Sequence, residues 1–139
     1  MKNSDIGEKK VKLNMEHQEA IDLVRNVCKD NGFGIIAEFS PSEVLNRTLG
    51  VDRKPYHILG VCDAKIANKA LDISLKIGGL FPCNMVIWEE EPGVQVVYHV
   101  SIMRIARITG MVPDDEEWQE ILDITGKNVE AVFEELSKR

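Results

Sequence analysis

Cys62, Asp63, Cys83, Asn84 and His99 are the residues of this chain whose types and positions bear on chemistry. Two thiols beside a carboxylate, with an imidazole further along, are the donors of a soft metal site, and thiolates favour zinc, copper(I) or iron. Twenty residues lie between the cysteines, without a paired CxxC spacing, so the pattern is not that of a zinc ribbon. Nucleophilic catalysis is a second reading, and it requires a thiolate with a base or cation nearby. Cys62 stands just before a predicted helix, whose N-terminal amides would lower its pKa. His57 lies five positions earlier and points away from Cys62 on a regular strand, unless Gly60 marks a bulge. His99 is the freer candidate base. A reversible disulfide, a thiol ligand, and two buried strand-end cysteines packing as small hydrophobes complete the readings.

The elements that must position these residues follow from periodicity. KKVKLN, residues 9 to 14, alternates Val11 and Leu13 with lysines as an edge strand does. Asn14 is the expected cap of a helix whose stripe is Ala20, Ile21, Val24, Val27 and Cys28, with Gly32 as its stop. Cys28 on that stripe reads as a buried small hydrophobe, and His17 as a solvated residue. Residues 32 to 39 form a second strand. Ser40, Pro41 and Glu43 are a helix-start signature, and Gly50 ends that short helix. In the third strand Tyr56, Ile58, Gly60 and Cys62 share one face, and His57, Leu59 and Val61 the other. Apolar groups on both faces mark an interior strand. Asp63 caps a helix expected over residues 64 to 77, with Ala67, Ala70, Leu71 and Leu75 inward. After Pro82, residues 84 to 91 and 94 to 101 form a hairpin around Pro92-Gly93. Residues 101 to 111 read as a helical turn and loop. A long helix opens at residues 113 to 117, and Gly126 interrupts its apolar stripe. Glu89, Glu90 and Glu91 read as a solvated hairpin tip, and Trp88 and Trp118 as core or interface residues. Neighbouring strands with helices collected on one face give a two-layer α+β sandwich.

Composition bounds the function. The chain has 139 residues, 44% hydrophobic and 29% charged, with a net charge of −6. That length suits one domain over residues 9 to 139 after a flexible tail, 1 to 8. The negative charge gives no counterion-release gain on phosphates, so nucleic acid is not an expected partner. No apolar run approaches the roughly 20 residues of a membrane span, and no secretion signal opens the chain. The expected setting is the cytoplasm, with no membrane partner.

Particular residues resemble a known family. They are Tyr56 with Ile58-Leu59-Gly60-Val61-Cys62, then Ala67, Ala70-Leu71, Gly79-Leu80, Pro82-Cys83-Asn84 and the strand to Trp88-Glu89. Gly32-Phe33, and Val44-Leu45 before Gly50, add to the match. The pattern resembles the bacterial and archaeal family called domain of unknown function 302, over roughly residues 9 to 108. Two departures are Asp63-Ala64, where the family usually has Asn-Pro, and Val100-Ser101-Ile102, where it often has Asp-Pro. The resemblance implies a mostly antiparallel five-stranded sheet with helices on one face, similar to one TATA-binding-protein repeat, and a homodimer. It implies no activity. An antiparallel sheet would bring Cys62 and Cys83 to one end, close to Asp63.

The functional expectation is a dimeric small-ligand-binding or interaction module with a pocket beside Cys62 and Cys83. The alternatives are a thiol- or metal-dependent enzyme using the same cysteines, and a purely structural partner domain.

Overall fold

The computed structural model describes residues 6 to 139. In β1 (Lys9–Asn14) Leu13 is fully buried and Val11 half-buried, while Lys10 and Lys12 are exposed, as the alternation requires. In α1 (His17–Asp30) the expected stripe, Ala20, Ile21, Val24, Val27 and Cys28, is buried. Asn14 does not cap this helix. It closes the strand, and Glu16 takes the cap position with extended backbone and no side-chain bond. Gly32, at φ 89°, turns the chain into β2 (Gly34–Phe39), which starts two residues later than expected.

Ser40 caps α2 (Pro41–Leu49) by accepting from the Glu43 N–H at 3.3 Å, and Gly50 ends it in the left-handed conformation. After β3 (Tyr56–Cys62), Asp63 caps α3 (Ala64–Ile73) by accepting from the Lys65 and Ile66 amides. The helix expected to reach residue 77 stops at Ser74, whose extended backbone (φ −154°) leads into a 3₁₀ turn over Leu75–Gly79. The inward face differs from the expected one. Ile66, Ala70 and Ile77 are buried, whereas Leu71 and Leu75, expected inward, are exposed, Leu75 by 82%. The hairpin of β4 (Cys83–Glu91) and β5 (Val94–His99) turns at Pro92-Gly93 as expected. The stretch read as a helical turn is α4 (Ile102–Ile108), capped by Ser101 through the Arg104 N–H. Asp115 caps α5 (Glu116–Ser137) through the Trp118 N–H at 3.0 Å.

Among the described residues the five strands form one antiparallel sheet in the order β1–β5–β4–β3–β2. The chain is an α+β structure, with β3 interior and β1 at an edge. Two cores result. In the first, α1 and the C-terminal half of α5 cover one sheet face, joining Val24, Val27, Val132 and Leu136 to Leu59, Met85, Ile87 and Val97. The second is built mainly by helices, around Ile66, Ile77, Met103, Ala106, Trp118 and Leu122, with Val112, Phe81 and the β4 residue Cys83 packed into it. Trp118 is fully buried there and donates from Nε1 to the Met103 carbonyl at 2.9 Å. On the sheet face opposite α1 and α5, Trp88 lies between Tyr56 and Tyr98, with ring centroids 6.0 and 5.9 Å away.

Several polar expectations are corrected. His17 is not simply solvated, because its Nδ1 meets the Oε1 of buried Gln95 at 2.7 Å. At the hairpin tip Glu89 accepts from buried Gln95 Nε2, whereas Glu90, bridged to Lys12 at 2.8 Å, and Glu91 are exposed as expected. The end of the expected tail is anchored, with the Ser101 N–H donating to the Ile6 carbonyl at 2.8 Å. Residues 1 to 5 of that tail lie outside the described residues.

Candidate functional site

Register places the two thiols. Cys83 is the cross-strand partner of Val61, so Cys62 and Cys83 lie on adjacent antiparallel strands at the same sheet end, as expected. Strand alternation puts Cys83 on the helix-covered side with Met85 and Ile87. Cys62 is the last residue of β3, where the chain leaves the pleat for α3. Asp63 follows directly, its Oδ2 accepting from Asn128 of α5 at 3.4 Å. Gly60 permits a close approach here. A Cβ at that position would lie 2.9 Å from the Pro82 ring and 3.2 Å from the Ala37 carbonyl.

A cavity of about 170 Å³ opens at this end of the sheet, along the seam between the two cores. Phe33, Val61, Cys83 and His99 wall it from the sheet side. Ile66, Phe81, Ile102 and Met103 wall it from the helical side. Leu122, Thr125, Gly126, Val129 and Glu130 form one strip of α5 along it. That spacing is one helix face, which is why a single helix can border both cores. Cys62 and Asp63 also line it, with Lys9, Ser101 and Arg104 on the border. Four of the five residues singled out from the sequence are thus brought together. Asn84 is not among them: its side chain is exposed, and only its backbone carbonyl takes part, accepting from His99.

His99 is the most constrained polar group of the cavity. It is 2% exposed, and its Nδ1 lies 2.9 Å from the Asn84 carbonyl. A carbonyl only accepts, so Nδ1 carries the proton and Nε2 of the neutral ring is an acceptor. Burial, against a smaller opposing effect of the Asn84 hydrogen bond, pushes the imidazole pKa down and favours that neutral form. No described residue bonds Nε2, yet among the described residues no buried side-chain nitrogen or oxygen is sealed without a partner. Nε2 therefore keeps open surface, and the void that His99 borders is this cavity.

The thiols differ from the expectation. Cys62 at the start of α3 was expected to have a lowered pKa, but burial, and then the neighbouring Asp63 charge, push it up. Burial, with Cys62 adding to it, pushes the Cys83 thiol up to about 12. Both are thiols at neutral pH, so neither is a ready nucleophile. The helix amides that would stabilise a thiolate are taken by Asp63. Cys28, as expected, is fully buried in the first core, and its thiol is also raised to about 12. His57 belongs to another cluster, its Nε2 2.8 Å from Glu38 Oε2, which Arg25 also binds. A bulge does occur beside Gly60, but in β2 at Ile36, and it does not turn His57 toward Cys62. Among the described residues no three His, Cys, Asp or Glu side chains are grouped to hold a metal ion.

Sequence reasoning missed the α5 wall. Leu122 and Val129 carry the same periodicity as core residues, and only Gly126, a weak helix former inside the stripe, signalled a difference. A Cβ on Gly126 would meet nothing within 4 Å.

The comparisons fit this picture. The family described as "Domain of unknown function DUF302" matches residues 9–136. No curated protein matches the chain. A solved structure, "Crystal structure of uncharacterized conserved protein DUF302 from Bacillus stearothermophilus", is 25% identical, covers 91% of this chain and 95% of its own, and superposes with a TM-score of 0.78. With that match running through nearly every element described above, the chain belongs to the DUF302 family of domains of unknown function.

Proposed function

We propose that this protein is a small-molecule-binding module whose ligand occupies the cavity beside Cys62, Cys83 and His99. One observation carries the reading: a buried imidazole offers an unpartnered acceptor to a mostly apolar cavity. Buried polar atoms are ordinarily satisfied, and one left open inside a cavity fits a group supplied from outside. The enzymatic alternative draws less support, because both thiols are held protonated and no base contacts them among the described residues. We also propose that the chain pairs with a second copy through the face bearing Tyr56, Trp88 and Tyr98, an aromatic row that neither α1 nor α5 covers. The three unbridged cysteines fit a reducing cytoplasm. Among the described residues no helix is long and apolar enough to cross a membrane.

Titration of isotope-labelled protein with toluene tests the ligand site. The expected result is amide shift changes confined to the cavity wall, at Val61, Ile66, Leu122 and Val129. Gly126→Leu, which fills the mouth from an open position, abolishes them while the circular dichroism spectrum stays unchanged. No shift changes with either toluene or phenol, a ring of the same size that carries a hydroxyl, would overturn the reading.

A further inference from the structure

The cavity wall limits what can enter. Its interior is aliphatic and aromatic, with soft sulfur atoms from Cys62, Cys83 and Met103 and rings from Phe33 and Phe81. Sulfur meets aromatic ring edges favourably, which suits a flat ring better than a branched chain. The volume, about 170 Å³, is close to that of an apolar protein cavity known to hold benzene, about 150 Å³. The charges on its border balance. The charged residues that border the cavity, Lys9, Asp63, Arg104 and Glu130, include both signs, and Arg104 and Glu130 are exposed. Asp63 is already committed to the α3 amides and to Asn128. Other polar side chains of the wall are also used: Thr125 donates to the Ile121 carbonyl, and Ser101 accepts from the Arg104 amide. Among the described residues His99 is the one buried polar side chain of the wall, and its Nε2 is an open acceptor.

We propose that the cavity selects a small uncharged aromatic molecule carrying a single hydroxyl or N–H donor, which hydrogen-bonds His99 Nε2. The inference rests on the reading of the cavity as a ligand site and goes further by naming the ligand's chemistry. A purely apolar ring leaves Nε2 dry and unpaired, whereas a donor on the ring satisfies it. Bases and acids are disfavoured because an ion would lose its hydration against a border whose four charges, two of each sign, offer no net opposite charge. The thiols act as wall, not as reactants.

Phenol and toluene are near-isosteres that differ in the donor, so they separate the two claims. The first expected result is that phenol binds at least as tightly as toluene, despite being far better solvated in water. His99→Leu then weakens phenol by about tenfold or more, the usual cost of removing the partner of a buried hydroxyl, and leaves toluene within about threefold. If that variant fails to fold, the wild-type protein still decides. The Nε2 resonance of His99 in labelled protein is expected to shift on adding phenol and not on adding toluene. Toluene binding without phenol binding, or phenol binding with an unmoved Nε2 resonance, overturns the proposed selectivity and leaves the ligand site standing. Failure of both probes to bind overturns the ligand site itself.

Discussion

At the scale of single residues, His99 and Gly60 show how much one side chain, or its absence, fixes here. His99 is neutral when folded because burial depresses its pKa below the ordinary 6.5. The unfolded chain therefore binds a proton near pH 6.5 that the folded chain refuses, so stability falls as pH drops through that range. The contribution is fully present above the unfolded value and is lost progressively below it, with a slope of at most about 1.4 kcal/mol per pH unit. Denaturant melts from pH 7.5 to 5 are expected to show this slope, reduced in His99→Gln. An equal slope in both proteins would assign the acid sensitivity elsewhere. Gly60 is held by geometry and not by charge. Its missing side chain admits Pro82 over the strand, and Gly60→Ala places a methyl 2.9 Å from that ring. Overpacking of this kind costs about 1–3 kcal/mol, and a lowered urea midpoint at unchanged m-value is the expected signature.

At the scale of elements, α5 contains a residue that helix propensity argues against. Gly126 costs a helix interior up to about 1 kcal/mol relative to alanine, and nothing lies within 4 Å of an added Cβ. Gly126→Ala is therefore expected to raise the melting temperature, measured by circular dichroism. A drop would show that the glycine is needed for the path of the helix and not merely tolerated. Elements with local chemical signals were legible in the sequence. Ser40 with Pro41 and Glu43, Asp63 before α3, and Pro92-Gly93 in the hairpin each act within a few residues, and each stands where the pattern put it. The end of α3 was not legible, because Ser74 is neither glycine nor proline and the apolar spacing continues through it. The site divides the same way. Cys62, Asp63 and Cys83 flank one connection, so their meeting could be reasoned from strand direction. The α5 wall begins about 40 positions beyond Cys83, and the spacing of a cavity wall is identical to that of a core stripe.

At the scale of the whole molecule, the open sheet face and the two cores set the remaining expectations. If Trp88 and its two tyrosine neighbours pair with a second copy, sedimentation at micromolar concentration gives a dimer, and Trp88→Arg gives a monomer. A wild-type monomer at that concentration would remove the paired face from the account. The arrangement of the cores has a consequence of its own. Helix α5 supplies Trp118, Ile121 and Leu122 to one and Val129, Val132, Phe133 and Leu136 to the other, with Gly126 between the two groups. It is the spar shared by two packing units, and its weakest helix former sits where they join. Such units can open with different free energies, so backbone amides on either side of Gly126 need not exchange with solvent together. A molecule lodged in the seam touches both units at once and binds only when both are closed. Its presence would thus fuse two local openings into one, making the fold more cooperative without moving any strand or helix.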